Sequence, residues 1–252
     1  MTLYVDKESV IHRIDPITKL LYVFVSIAIT YILPLHGFVL GVTVVSLLLL
    51  IIGKVLWKIL PIIGISLILI ISIIIVQGFF HPDNETILFS IGNVSLYKEG
   101  FSVALLLTLR VLNMLSAFGV LILTTKPDEL VERLIKKGLS PKIGHVLLSI
   151  FQLIPQMQAT MGKITDAQRS RGMETEGNLV IRMKAFFPLI GPVVLNSLND
   201  TRERAIALEM RGFNLKGKKT FLNKSRTYRY QSAMQGFLCI VLISTILWRI
   251  FQ

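Results

Sequence analysis

Long apolar stretches alternate with polar ones along the chain, and four of the apolar stretches approach or exceed the roughly 20 residues that a helix needs to cross a bilayer. These stretches are Leu20 to Gly53, Ile59 to Phe80, Phe101 to Thr125 and Tyr230 to Trp248. The first is long enough for two helices and contains Pro34 and Gly37 near its middle, which end one helix and allow a second to begin. The pattern therefore predicts about five transmembrane helices.

Segment 126–229 follows a different pattern. The sequence KPDELVERLIKKGLSP predicts a short amphipathic helix that begins at Pro127 and stops at Gly138, with acidic residues first and lysines last. Two longer helices follow, apolar from Val146 and from Ala185, polar in their second halves and ending at glycines. We therefore predict an all-α polytopic membrane protein in three parts: 1–125, 126–229 and 230–252.

The ends of the two longer helices share a pattern, in which Ala167, Arg171 and Gly172 correspond, at the same spacing, to Ala207, Arg211 and Gly212. Residues four apart lie on one face of a helix, so each arginine lies one turn beyond a small residue that lets another surface approach closely. The guanidinium presents its donors as a planar fork, which suits a groove lined with carboxylates. A second interpretation stays open, in which the arginine neutralises the negative end of its own helix and the glycine only caps it.

Composition and charge support a membrane protein and orient it. The apolar fraction is 53% and the mean hydropathy is +0.67, whereas soluble domains contain about 45–50% apolar residues. Segment 126–229 carries 19 basic and 9 acidic residues, most of the net charge of +12, while 81–100 carries one basic and three acidic residues. Basic segments stay on the cytoplasmic side, which predicts a cytoplasmic N-terminus and a cytoplasmic 126–229. No cleavage site follows the first apolar run, so we expect that helix to be retained.

Catalytic and metal-ligating patterns are missing from the sequence. Cys239 lies inside the last apolar stretch and excludes an internal disulfide, and four histidines, His12, His36, His81 and His145, have no ligand spacing. Residues 212–220 resemble a phosphate-binding loop, but Lys219 replaces the required hydroxyl, so ATP must be bound by a partner. The sequence predicts no catalytic residues, no metal site and no bound cofactor.

The remaining charges fit structural roles. Arg110 lies deep in the fourth predicted transmembrane helix, where a charge is costly, and we expect it to pair with a backbone carbonyl or a neighbouring helix. The basic residues of 126–229 are not interleaved with stacking aromatic residues, which argues against nucleic acid as a partner. They are suited to the anionic headgroups of the lipid bilayer instead.

Four stretches together resemble the transmembrane T components of energy-coupling factor (ECF) transporters, a family that includes the cobalt-transport permease subunits. The stretches are SVIHRIDPITKLL, LTTKPDELVERLIKKGLSP, AQRSRG and ALEMRGF. The resemblance implies a non-catalytic subunit in the cell membrane of a prokaryote. It also implies two ABC-type ATPase subunits as partners, and a separate S component that binds a vitamin, a vitamin precursor or a metal ion.

The resemblance also implies which residues couple the subunit to the ATPases. In that family two long cytoplasmic helices cross, and an Ala-Arg-Gly motif at each helix end docks in a groove of one ATPase. By position these ATPase-coupling motifs comprise Ala167, Ser170, Arg171 and Gly172 in the first copy and Ala207, Met210, Arg211 and Gly212 in the second. Ser170 and Met210 depart from the family's alanine; serine is nearly as small, whereas methionine is bulkier but flexible.

Two other classes of function stay open as alternatives. A self-sufficient secondary transporter would usually show discontinuous helices and an inverted repeat within the membrane, whereas the repeat here lies in the predicted cytoplasmic segment. A membrane-embedded enzyme would need acidic or histidine clusters facing the headgroups, and the acids of 126–229 lie mostly beside basic residues on helices.

Overall fold

The computed structural model describes residues 4–7, 9–80, 86–91, 94–173, 178–215 and 230–251. In these ranges the α-helices are α1 (Pro16–Ile32), α2 (His36–Ile52), α3 (Leu56–Phe80), α4 (Lys98–Thr124), α5 (Pro127–Lys136), α6 (Pro141–Ser170), α7 (Leu179–Met210) and α8 (Gln231–Phe251). A 3₁₀ turn (Ile11–Arg13) precedes α1, and an antiparallel hairpin of β1 (Ile87–Ile91) and β2 (Val94–Tyr97) lies between α3 and α4. The predicted fold class of an all-α membrane protein is confirmed, and the hairpin is a small addition that the pattern did not indicate.

Five of these helices are apolar and coincide with the five predicted from the pattern. The helices α3, α4 and α8 are each long and apolar enough to cross a bilayer. The helices α1 and α2 have 17 residues each, the lower end of the range for a transmembrane helix, about 17–25 residues. They are separated at residues 33–35, around the predicted break at Pro34. The five membrane crossings and their orientation stay predictions.

The chain divides into two compact units. The membrane unit comprises Thr2–Arg133 and Arg226–Gln252, and the helical unit contains Leu134–Ser225. The division falls inside α5, a few residues beyond the predicted start of the central segment at 126. The first part of α5 belongs to the membrane unit because Val131 is buried there and Arg133 forms an ion pair with Asp15.

The core of the membrane unit is formed where α3 and the end of α2 pack against α4. Leu50, Ile59 and Val120 are almost completely buried there. Gly119 lets the helices approach closely, because a Cβ atom at this position would overlap with Ile59 Cδ1. Close helix contact at a small residue is a usual way for membrane helices to gain packing energy.

A buried polar network joins α1, α2 and α4 beside this core. Ser46 Oγ donates to Asn113 Oδ1 at 2.7 Å, and Asn113 Nδ2 donates to the Ser26 carbonyl at 3.3 Å. The Tyr22 hydroxyl lies 2.7 Å from Ser46 Oγ. Because the surroundings are apolar, these polar groups depend on one another for hydrogen bonds and thereby fix how the three helices pack.

Arg110 pairs with a backbone carbonyl, as expected. Its Nε donates to the Thr30 carbonyl at 3.0 Å, and its guanidinium lies 4.8 Å from the centre of the Tyr31 ring. In a continuing helix the Thr30 carbonyl would accept from the residue four positions later, but that residue is Pro34, which has no N–H. Arg110 therefore supplies the hydrogen bond that the helix break removes.

Replacing Arg110 by methionine should destabilise the membrane unit by about 1.5–3 kcal/mol, the usual contribution of a hydrogen bond from a charged group. The change is checked by thermal unfolding of the purified chain in detergent. Lys98→Met at the exposed start of the same helix is the matched control and should leave the melting temperature unchanged. Equal stability of the two variants would contradict the structural role of Arg110.

The polar N-terminal segment is held against the end of α4. The Val5 N–H donates to the Leu123 carbonyl at 3.0 Å, which satisfies one of the free carbonyls at that helix end. His12 Nε2 lies 3.0 Å from the Val5 carbonyl and its Nδ1 lies 2.7 Å from Ser9 Oγ. Burial lowers the pKa of His12, so the ring is neutral at neutral pH and fits this pair of contacts.

Candidate functional site

The first predicted motif lies at the end of α6, and its glycine closes the helix as predicted. Gly172 has φ +86°, the left-handed conformation that glycine adopts most easily. Its N–H donates to the Arg169 carbonyl at 2.9 Å, and the Met173 N–H donates to the Gln168 carbonyl at 3.1 Å. These two bonds form a Schellman motif, which leaves the end of α6 sharply defined.

The second motif ends α7 with the same pair of bonds. Gly212 has φ +72°, its N–H donates to the Glu209 carbonyl at 2.9 Å, and the Phe213 N–H donates to the Leu208 carbonyl at 3.0 Å. Gly138 ends α5 in the same way, with Leu139 N–H donating to the Leu134 carbonyl. The cap alone therefore does not distinguish the two motifs from an ordinary helix end.

The start of α7 differs from the expectation. The helix begins at Leu179, six residues before Ala185, where the apolar half was expected to start. Asn178 precedes it, and its Oδ1 accepts a hydrogen bond from the Leu179 N–H at 2.8 Å. A capping side chain is a local signal that can start a helix ahead of its apolar stripe.

The residues of both motifs lie at the surface. Ala167, Ser170, Arg171, Gly172, Ala207, Met210 and Arg211 are exposed, and Gly212 is partly exposed. Met210 is 85% exposed, although it is a large apolar side chain. No hydrogen bond or ion pair joins the guanidinium of Arg171 or Arg211 to another residue in the described ranges. Arginine and methionine are both enriched in surfaces that bind other proteins.

The two motifs lie far apart, because α6 and α7 run antiparallel where they touch. Gln156 of α6 donates to Asp200 Oδ2 at 3.1 Å and accepts from Arg204, both on α7. The His145 ring lies 5.0 Å from the ring of Phe213, which follows the end of α7. From His145 to Arg171 the path along α6 is about 40 Å at the usual rise per residue. The structure therefore does not bring the two sets of residues together.

Both long helices expose apolar side chains in their first halves. In α6 these include Ile143, Val146 and Ile150, and in α7 they include Phe186 and Phe187. Patches of this kind usually contact protein or lipid. Pro155 lies inside α6, and Pro188 and Pro192 lie inside α7. Each proline lacks an N–H, which makes these positions the natural places for bending.

A second polar cluster, which the sequence pattern did not indicate, lies in the membrane unit. Asp15 is 1% exposed, and its Oδ1 lies 3.2 Å from Arg133 Nε. Gln231 Nε2 donates to the other oxygen, Oδ2, at 3.0 Å. The only signal in the sequence was a carboxylate directly before Pro16, at the start of an apolar helix, where a negative charge is favourable.

Replacing Gly172 or Gly212 by alanine should loosen the corresponding helix end, because a left-handed residue with a Cβ costs about 1–2 kcal/mol. The cost should be similar at both positions, because Gly172 faces open space and the added Cβ at Gly212 would meet only the side chain of Leu215, with Cδ1 at 2.7 Å, which is exposed and can move aside. Hydrogen exchange of the Met173 and Phe213 N–H groups measures the loosening. Gly162→Ala within α6 is the control and should not accelerate exchange.

Comparison with known proteins identifies the family. Residues 7–221 match the sequence model of the family CbiQ, described as cobalt transport protein. The energy-coupling factor transporter transmembrane protein EcfT of Streptococcus equi is 29% identical to the chain, and the match covers 95% of the chain and 91% of the relative. The EcfT of Lactococcus lactis is also 29% identical, and the match covers 97% of the chain and 94% of the relative. The EcfT of Brevibacillus brevis is 28% identical and covers 97% of the chain and 96% of its own length. The chain belongs to the CbiQ family, the transmembrane T components of ECF transporters.

Proposed function

We propose that the chain is the energy-coupling subunit of an ECF-type ABC transporter in the plasma membrane of a prokaryote. It links ATP hydrolysis by two partner ATPases to the uptake of a vitamin, a vitamin precursor or a metal ion that a separate S component binds. The N-terminus and the helical unit lie in the cytoplasm, as the distribution of basic residues favours. Family membership and the names of the relatives support this proposal.

The observation that carries the proposal is the matched pair of helix ends. Each presents an exposed arginine without a partner among the described residues, one turn beyond an exposed alanine. An arginine that only neutralised its own helix end would need neither the alanine nor a second copy at the same position. In our proposal each end docks in a carboxylate-lined groove of one ATPase, so that one chain holds two ATPases at once.

The same geometry supplies a mechanism. When ATP binding draws the two ATPases together, the ends of α6 and α7 are displaced with them. Each helix carries this displacement along its length, because the hydrogen-bonded backbone is stiff in that direction. The contacts of Gln156 with Asp200 and Arg204 join the two helices at one point, so that a displacement of one helix is passed to the other. The S component would then be reoriented towards the cytoplasm.

The exposed side of α3 is the surface that we propose for the S component. Ile65 and Ile68 are 73% and 75% exposed, and only 11% of the most apolar window of this helix is buried inside the chain. Around these residues the helix is almost entirely apolar, and the exposed Ser66 hydroxyl donates to the Ile62 carbonyl of the same helix, so a partner in the bilayer can pack here at little polar cost.

Affinity purification of the tagged chain from its native membrane tests the function directly. We expect two ABC-type ATPases and a small membrane protein to copurify, and the preparation to hydrolyse ATP. A secondary transporter would purify without ATPases and would retain uptake in a strain that lacks them. That result would replace the proposed function by the alternative.

A further inference from the structure

The two helices that flank the helical unit in the sequence, α5 and α8, both contact one buried carboxylate. In the sequence, the helical unit begins directly after Arg133 and ends before α8, whose first residue is Gln231. Arg133 pairs with one oxygen of Asp15, and Gln231 donates to the other. Asp15 therefore contacts the last residue before the helical unit and the first residue of α8 after it.

A second side chain at the start of α1, that of Lys19, contacts the end of α4. Lys19, one turn after Asp15, donates through Nζ to the Thr124 carbonyl at 2.9 Å and to Thr125 Oγ1 at 3.3 Å. These are the last residue of α4 and the residue that follows it, just before α5 begins. The side chains of Asp15 and Lys19 thus anchor both the entry to α5 and its Arg133 end.

Burial makes these contacts specific. The side chain of Asp15 is completely buried and that of Arg133 is mostly buried. A buried charge without its partner is strongly unfavourable. A displacement of α5 that separates Arg133 from Asp15 is therefore costly, whereas a displacement in which α1 moves together with α5 keeps the pair. A second link, from Gln235 Nε2 to Thr18 Oγ1 at 3.1 Å, joins α8 to α1 without involving the carboxylate.

We propose that Asp15 is a positioning residue that transmits displacement of the helical unit to α1 and α8 in the membrane. This inference rests on the proposed function, because the displacement originates from the partner ATPases. Because the carboxylate contacts both α5 and α8, it passes a displacement of α5 to α1 and α8.

The test uses the complete complex purified with its ATPases. Spin labels are attached at Phe251→Cys in α8 and Leu40→Cys in α2, both exposed positions to which no binding role is assigned, in a Cys239→Ala background. The distance between the labels is measured without nucleotide and with Mg-ATP and vanadate. We expect ATP to shift the distance distribution of the otherwise native chain, and Asp15→Asn to reduce the shifted population at least about fivefold, as the loss of a typical coupling between sites would.

Further variants separate transmission from folding. Gln231→Leu leaves the Asp15–Arg133 pair intact and should also weaken the shift, whereas Gln235→Leu removes the neighbouring link and should retain it. Asp128→Asn, an exposed acid on α5, is the matched control for the lost charge. In all variants the ATPases should copurify and ATP hydrolysis should continue.

Two results would overturn this inference but leave the proposed function standing. The first is a distance shift in both Asp15→Asn and Gln231→Leu that equals the shift of the native sequence. The second is the absence of a distance shift in a native complex that hydrolyses ATP. A native chain that purifies without ATPases would overturn the proposed function as well. If Asp15→Asn does not accumulate in the membrane, Gln231→Leu decides the outcome.

Discussion

Replacing Arg171 and Arg211 together by alanine is expected to abolish ATP-driven uptake while the chain still inserts into the membrane. Both guanidinium groups are exposed and have no partner in the described ranges, so their removal costs the folded chain little. In the complex, each is expected to form charge-assisted hydrogen bonds with an ATPase, and a buried contact of this kind is worth about 2–5 kcal/mol. Losing both should prevent stable attachment of the ATPases.

The measurement has two parts. Copurification of the ATPases reports attachment, and uptake of radiolabelled vitamins and cobalt by cells reports transport. The double variant Lys163→Ala with Arg202→Ala is the matched control, because it removes two exposed positive charges from the same helices about two turns before their ends. Each single arginine variant should be less impaired than the pair. Normal uptake in the Arg171 and Arg211 double variant would show that these arginines only cap their helices.

Replacing Gly119 by leucine is expected to prevent α3 from packing on α4. Even a single added methyl carbon would overlap with Ile59 Cδ1, in a part of the core where Ile59 is 1% exposed. Gly119→Ala should therefore destabilise the membrane unit by about 1–3 kcal/mol, the usual cost of overpacking, and leucine by more. Thermal unfolding in detergent measures the difference.

A compensating change makes this prediction specific. Ile59→Val removes the Cδ1 atom that the added carbon would meet, so Gly119→Ala should be tolerated better in that background than in the native one. Gly64→Ala, in α3 but facing open space, is the matched control and should be neutral or slightly stabilising. Additive effects of Gly119→Ala and Ile59→Val would contradict the close approach seen here.

Local features of the sequence were sufficient to predict the helices and the C-terminal ends of α6 and α7. The break at Pro34 follows from the missing N–H of proline, and the caps at Gly172 and Gly212 follow from the ease with which glycine adopts a positive φ. These properties depend on one residue and its immediate neighbours. The early start of α7 was missed because Asn178 acts as a cap ahead of the apolar pattern.

The two motifs at the helix ends could be located from the sequence, but their spatial relation could not. Their separation along the chain gives no direction in space, and the antiparallel contact between α6 and α7 depends on Gln156 meeting Asp200 and Arg204. Arg110 shows the same difference between what the sequence predicts and what requires the structure. Its need for a partner could be predicted from the cost of a charge in the membrane, whereas its partner, Thr30, lies 80 positions away.

The sequence by itself determined the class of protein, the apolar helices, the capped ends of the long helices and the family. Each of these depends on composition, periodicity or a short motif, which need no knowledge of distant contacts. Only the tertiary structure decided that Arg133 and Gln231 contact Asp15, and that the side chain of Ile59 packs against Gly119. The physical reason is that a buried carboxylate and a missing side chain acquire their roles from the groups packed against them, and those groups come from helices far away in the chain.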